Sequence, residues 1–299
     1  MKPRHIFAMI ALVLIWGSTW VAIHVLVGAV PPMRSAALRF LLAAALLAPI
    51  IQWKHLAWPT GRGLNASLVL SITMVTLPYA LIFWSEQHIS SGLTALLYAS
   101  MPLLTTLLTP LMAGRSVPRA AWQAMILGLG AIALVLSNIV STSLTQTLGA
   151  IGVLFAVALQ GGSSIYAKRH LQGVQPMVST SIQFFCAGIL LSLGSLGLEH
   201  SRHATWSTPA LLALLFLSIF SSVISYSVYY WLLRTVEAYQ ITSLQLVVPI
   251  IAVAEGAIIL HERLSWYMIV GSLAVLGCVV FVMRARREED EAIALELSR

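Results

Sequence analysis

Apolar residues fill this chain in stretches of about twenty, separated by short polar connections. A segment that crosses a hydrocarbon core needs about 20 mostly apolar residues, because every backbone group there must be satisfied inside a helix. Ten stretches meet that requirement, near 5–27, 34–52, 65–85, 91–112, 119–138, 148–168, 177–197, 209–233, 238–260 and 265–284. The connections carry Pro31-Pro32, Pro59-Thr60-Gly61, Pro118, Gly173 and Pro176, residues that punctuate helices. Trp53, Trp58, Trp122, Trp206 and Trp266 fall at span ends, where amphipathic rings sit at headgroup level. The pattern predicts an all-α integral membrane protein of ten transmembrane helices, with no residues left over for a soluble domain.

The stretches repeat. Residues 30–47, VPPMRSAALRFLLAAALL, align with 174–191, VQPMVSTSIQFFCAGILL, placing Pro32 on Pro176 and Arg39 on Gln183. Farther along, Trp84 aligns with Trp231, Pro102 with Pro249 and Gly130 with Gly277, while Trp16-Gly17-Ser18-Thr19 faces Gly161-Gly162-Ser163-Ser164. Apolar composition alone produces Leu and Ala matches, but not Pro, Met, Phe and Trp together in register. Each copy holds five spans, an odd number, so the second enters from the opposite face and runs inverted. Residues 5–138 form the first repeat, 148–284 the second, and 285–299 a charged tail. Two such halves related by an in-plane pseudo-two-fold axis can build a site near the midplane and rock around it; the alternative is a duplicated helical bundle with no pore.

Charge sets the orientation. Lys2, Arg4, Lys54, Arg62, Arg115, Arg119, Lys168, Arg169, Arg234, Arg284, Arg286, Arg287 and Arg299 collect on one side, against Arg34, Arg202 and Arg263 on the other. Positive charge stays inside, so both termini are expected in the cytoplasm. Composition agrees: 59% of residues are hydrophobic and 9% charged, where an average soluble domain carries roughly 25% charged. The net charge of +7 is scattered in ones and twos, not gathered into a basic face, which argues against a nucleic-acid partner.

Other classes lose their chemistry in the same way. The one aspartate, Asp290, lies in the tail, so the spans lack the paired acids of a Mg²⁺-dependent membrane transferase. There is no Gly-x-Ser-x-Gly element and no phosphate-binding loop with Lys and Ser or Thr. A membrane-embedded enzyme acting on lipid or peptide and a non-transporting assembly protein remain as alternatives. Cys186 and Cys278 lie in apolar runs and read as buried thiols, the histidines lie in loops or near span ends, and no cofactor or metal is expected. Residues 1–29 imitate a signal peptide, but the apolar stretch is long and is copied in the second half, which opposes cleavage.

Polar side chains inside spans are costly and mark candidate sites. Glu255 in span nine is the sharpest, as a proton carrier or a partner for a substrate amine; the bland alternative is a structural hydrogen bond. Gln245 shares its broad face, and Pro249 between them removes a backbone donor, as Pro102 does in span four. Thr94, Tyr98, Pro102, Thr105 and Thr109 form a polar stripe, although Thr hydroxyls can also bond their own helix. Thr76, Tyr79, Phe83 and Glu86 share a face of span three, and Ser222, Tyr226 and Tyr229 one of span eight. Trp16, Thr19, Gln160 and Ser164 are the matching set on the first spans of the two repeats. Arg39, a permanent cation inside span two, either receives a substrate carboxylate or plays the structural role that its uncharged mate Gln183 favours.

Three motifs carry a family likeness: Ile15-Trp16-Gly17-Ser18-Thr19-Trp20, Ala37-Leu38-Arg39-Phe40-Leu41-Leu42, and Pro249 followed by His261-Glu262-Arg263-Leu264. In these, and in their order and duplication, the chain resembles the drug/metabolite transporter superfamily and, within it, the ten-span EamA family of bacterial exporters. The resemblance implies spans 1–4 and 6–9 around a central cavity with spans 5 and 10 outside. It also implies export of amino acids or related small metabolites across the bacterial inner membrane, leaving the coupling ion, the oligomeric state and the substrate open. One departure stands out: the family's Gly-Glu after span four is here Gly114-Arg115.

Overall fold

A backbone surrounded by apolar side chains has only itself to bond, and helix is the outcome. The computed structural model describes residues 3–114, 117, 119–140, 143–233, 235, 244, 247–262, 266, 269–281 and 284, and holds no strand among them. Among the described residues, seven helices are long and apolar enough to cross a membrane: α1 (Pro3–Ala29), α2 (Pro32–Trp53), α3 (Gly61–Ser85), α4 (Ser91–Met112), and, after the shorter apolar helix α5 (Arg119–Leu134), α6 (Leu144–His170), α7 (Pro176–Leu198) and α8 (Thr208–Tyr229). The shorter apolar helices α9 (Val248–Ile259) and α10 (Ile269–Phe281) follow. Phe7, Leu127, Phe155, Leu193 and Ile258 turn large apolar surfaces outward, the arrangement that suits a hydrocarbon surround.

Proline sets several helix starts. Pro32 and Pro176 open α2 and α7 at positions where a missing N–H costs nothing. Pro102 follows the same rule: α4 breaks at Ala99-Ser100 and restarts at Met101, so Pro102 sits in a first turn instead of loosening a continuous helix. Its repeat mate Pro249 occupies the first turn of α9. Gly114 ends α4 with φ +62, a left-handed value that costs glycine nothing.

Two helices carry a wider π-helical stretch, Ser71–Thr76 within α3 and Phe216–Ile224 within α8. In each, a hydroxyl reaches the carbonyl five residues back: Thr76 Oγ1 donates to the Ser71 carbonyl at 2.7 Å, and Ser222 Oγ to the Leu217 carbonyl at 2.9 Å. Such stretches widen the turn and re-aim side chains, and they concentrate at functional sites.

The packing is reciprocal. α2 and α7 make the most extensive helix contact; α2 also lies on the π-helical stretch of α8, and α7 on that of α3. Likewise α1 packs against α9, and α6 against the second part of α4. Glycine permits both of the latter approaches. A Cβ on Gly17 would collide with Ile251, and one on Gly161 would stand 2.6 Å from Thr105 Oγ1. The main apolar core joins α1, α2, α3, α7 and α8 around Phe40, Ile82, Phe83 and Phe184, and a second joins α4, α5, α6 and α10.

Candidate functional site

Arg39 is the centre. It is 3% exposed, and among the described residues it is the only buried lysine or arginine. Its Nε–H donates to Ser222 Oγ at 3.2 Å and Nη2 to Ser221 Oγ at 3.0 Å, both on the π-helical stretch of α8, while Nη1 has no hydrogen-bond partner. The guanidinium lies 5.2 Å from the ring centres of Phe40 and of Tyr79, within reach of their electron-rich faces. Among the described residues no carboxylate pairs with it; the one ion pair there joins His24 and Glu86. The phenols of Tyr79, Tyr226 and Tyr98 stand around the charge, and all three residues are half-buried.

Aromatic contacts tie this group together. Phe40 meets Tyr79 edge-on at 4.8 Å and Phe184 at 5.0 Å; Phe184 meets Tyr226 at 5.6 Å, and Tyr79 meets Phe83 at 6.3 Å. Tyr98 packs on Trp20 at 4.9 Å. Thr19 joins from α1: its Oγ1 donates to the Ile15 carbonyl at 2.7 Å and lies 2.8 Å from Ser221 Oγ, one bond from the guanidinium. Five residues singled out from the sequence, Arg39, Tyr79, Tyr98, Tyr226 and Thr19, thus converge where α1, α2, α3, α4 and α8 meet.

Other candidates are placed elsewhere. Trp16 packs on Tyr229 at 5.9 Å. Gln160 donates through Nε2 to the Met74 carbonyl in the π-helical stretch of α3 at 3.1 Å, leaving its buried Oε1 without a partner. Ser164 donates to the Gly161 carbonyl, and Thr105 is the surface on which Gly161 packs. The threonine stripe turns largely inward on its own helix, Thr94 donating to the Ser90 carbonyl at 3.1 Å and Thr109 to that of Thr105 at 2.7 Å. Gln245 lies outside the described residues, as do Arg115, Arg263 and the tail 285–299.

Four glutamates take three distinct roles. Ser18 Oγ donates to Glu255 Oε1 at 2.8 Å, and Glu255 Oε2 is enclosed without a partner. Glu86, one residue beyond α3 and fully buried, has Oε2 3.2 Å from His24 Nδ1 and Oε1 unpartnered. Burial pushes its carboxyl up to about 7, with His24 opposing the rise. Glu262 grips the start of α4, accepting from Ser91 N–H at 2.7 Å and Ser91 Oγ at 2.8 Å on Oε1, and from Gly92 N–H at 3.2 Å on Oε2. Glu199 does the same for α2, accepting from the Met33 and Arg34 N–H groups at 2.9 and 3.1 Å.

Ser18, Ser221, Phe184 and His24 were not among the residues selected from the sequence. Each is a small or apolar residue, or a span-end histidine, whose importance rests on a partner far along the chain; Ser221 lies 182 positions from Arg39. An apolar groove of about 320 Å³ between α2 and α7, lined by Leu41, Ala44, Ile182 and Phe185, contains no titratable group and is a poor rival.

Comparison with known proteins places this geometry in context. The model of the EamA-like transporter family matches residues 3–137 and again 147–284. The chain is 28% identical to the "uncharacterized inner membrane transporter YedA" of Escherichia coli over 92% of this chain and 88% of that one. It is 27% identical to the protein PagO of Salmonella typhimurium over 81% and 80%, and 24% identical to the "uncharacterized transporter YoaV" of Bacillus subtilis over 93% and 96%. A chain of known structure superposes with a TM-score of 0.64, at 16% identity, over 97% of this chain and all of its own length, a likeness of fold. With the family model matching almost end to end, twice over, this chain belongs to the EamA-like transporter family.

Proposed function

We propose that the chain is a secondary transporter of the bacterial inner membrane that exports a small metabolite, an amino acid or related amphipathic compound, by alternating access. Ten spans form two inverted halves, 5–138 and 148–284, with both termini and the tail 285–299 in the cytoplasm. Reciprocal packing supports this reading: α1 on α9 answers α6 on α4, and α2 on the π-helical stretch of α8 answers α7 on that of α3. So do the π-helical stretches themselves, at corresponding places in the repeat. The inner-membrane placement draws on the naming of the E. coli relative.

One observation carries the reading. Arg39 of the first half is held by Ser221 and Ser222 of the second, inside a wall of tyrosines drawn from both. A polar site at the seam of two halves is what alternating access requires. The test is solute counterflow in proteoliposomes. With unlabelled amino acids and amphipathic compounds loaded inside, a labelled substrate is expected to accumulate transiently above its external level in wild type and not in empty vesicles. Absence of counterflow for every member of such a panel would overturn the proposal.

A further inference from the structure

We infer that Arg39 is the receptor for the carboxylate of a substrate with one acid group and an aromatic or branched apolar body, an assignment that rests on the transport reading above and narrows its substrate. A permanent cation taken out of water is tolerated when an anion and good hydrogen bonds compensate it. Here the compensation is incomplete. Two serine hydroxyls occupy Nε and one proton of Nη2, two ring faces lie 5.2 Å away, and no carboxylate among the described residues answers the charge. Nη1, at the end of the side chain, keeps both protons without a partner although it is buried. A carboxylate oxygen on Nη1, with its twin on the remaining Nη2 proton, completes the planar fork and supplies the missing charge.

The surroundings restrict the anion. Arg39 is the one buried lysine or arginine among the described residues, so a single negative charge is neutralised and a phosphate dianion is not. An amine without an acid group meets a like charge. Half-buried Tyr79, Tyr98 and Tyr226 surround the guanidinium, with buried Phe40 and Phe184 packed behind Tyr79 and Tyr226 at 4.8 and 5.6 Å, and this aromatic surround suits an aromatic or branched apolar body. The repeat mate Gln183 is neutral and donates to Ser179 Oγ at 3.0 Å, so the second half offers no equivalent cation and a molecule with one carboxylate fits in one orientation.

The test uses the purified full chain and three ligands that share one body: 3-phenylpropionate, 3-phenylpropionamide and 3-phenylpropylamine. In a thermal-shift titration the carboxylate is expected to raise the melting temperature of wild type, with the amide and amine at least tenfold weaker. Arg39→Gln is expected to lose the carboxylate response, and Arg39→Lys to keep it with a reduced affinity. Equal stabilisation by all three ligands, no response to the carboxylate, or an unchanged carboxylate affinity in Arg39→Gln would overturn the assignment. If Arg39→Gln does not fold, the ligand series on wild type decides alone. The counterflow assay separates the two readings: wild-type vesicles that move neutral or cationic solutes but no carboxylate leave the transporter standing and remove Arg39 from substrate recognition.

Discussion

Ser18 lies near the middle of α1, and the carboxylate it meets, Glu255, therefore sits deep in the bundle, one residue along α1 from the Thr19 hydroxyl that contacts the Arg39 cluster. A single hydrogen bond leaves Glu255 Oε2 enclosed and unpartnered. Glu86 shares the unpartnered oxygen but is held by His24 beside the start of α4, at the end of the bundle. Glu255 is therefore the carboxylate on which proton coupling is expected to depend. In proteoliposomes an imposed pH gradient should drive uptake of the counterflow substrate in wild type and not in Glu255→Gln, while the substrate still exchanges in that variant. Equal gradient-driven uptake by both proteins would remove Glu255 from coupling. Hydropathy alone marked this residue, because a carboxylate in an apolar run is conspicuous wherever it lies. It could not mark Ser18, since serine is common in membrane helices and often bonds only its own backbone.

Helices are where the sequence reads best and where its limits have clear causes. Length and hydropathy locate the long helices because the bilayer fixes both, and proline locates several of their starts because it cannot donate a backbone hydrogen bond. Pro102 and Pro249 were legible as breaks, yet the exact break at Ala99-Ser100 was not, since the residues that yield are those before the proline. The π-helical stretches were illegible. A period of 3.6 is assumed in reading faces, and a local widening shifts every later side chain, which is how Ser221 and Ser222 come to point together at Arg39. Glycine is a partial signal for close approach: Gly17 and Gly161 permit one, whereas Gly130 and Gly277, aligned in the repeat, have nothing within 4 Å of an added Cβ. Gly161→Val is expected to force α6 away from Thr105, lowering the melting temperature in detergent by several degrees, whereas Gly130→Ala, with nothing within 4 Å of the added Cβ, should leave it unchanged. Similar values for the two variants would show that the α4–α6 approach is looser than this packing implies.

At the scale of the whole molecule, the proposed alternation needs one end of the bundle to part while the other closes, and Glu262 is expected to act as a latch at one of them. Following α9, it grips the start of α4 with three hydrogen bonds, two of them to backbone N–H groups that a helix start leaves unsatisfied. With α2 held by Glu199 in the same manner, two carboxylate grips cross between helices that must separate if this end opens. In the proposed orientation this end faces outward. Hydrogen bonds to a charged group contribute about 1.5–3 kcal/mol each, and about 1.4 kcal/mol is a tenfold change in a conformational equilibrium, so losing the carboxylate should open this end by about tenfold or more. The outcome can be read on a cysteine placed at Thr94, which is fully buried just inside the gripped turn. A membrane-impermeant maleimide added outside intact cells should label Thr94→Cys slowly in an otherwise wild-type chain and about tenfold faster with Glu262→Ala. Faster labelling only in inverted vesicles would place this end in the cytoplasm. Labelling unchanged from both sides would mean that Glu262 caps a helix and does not hold a gate.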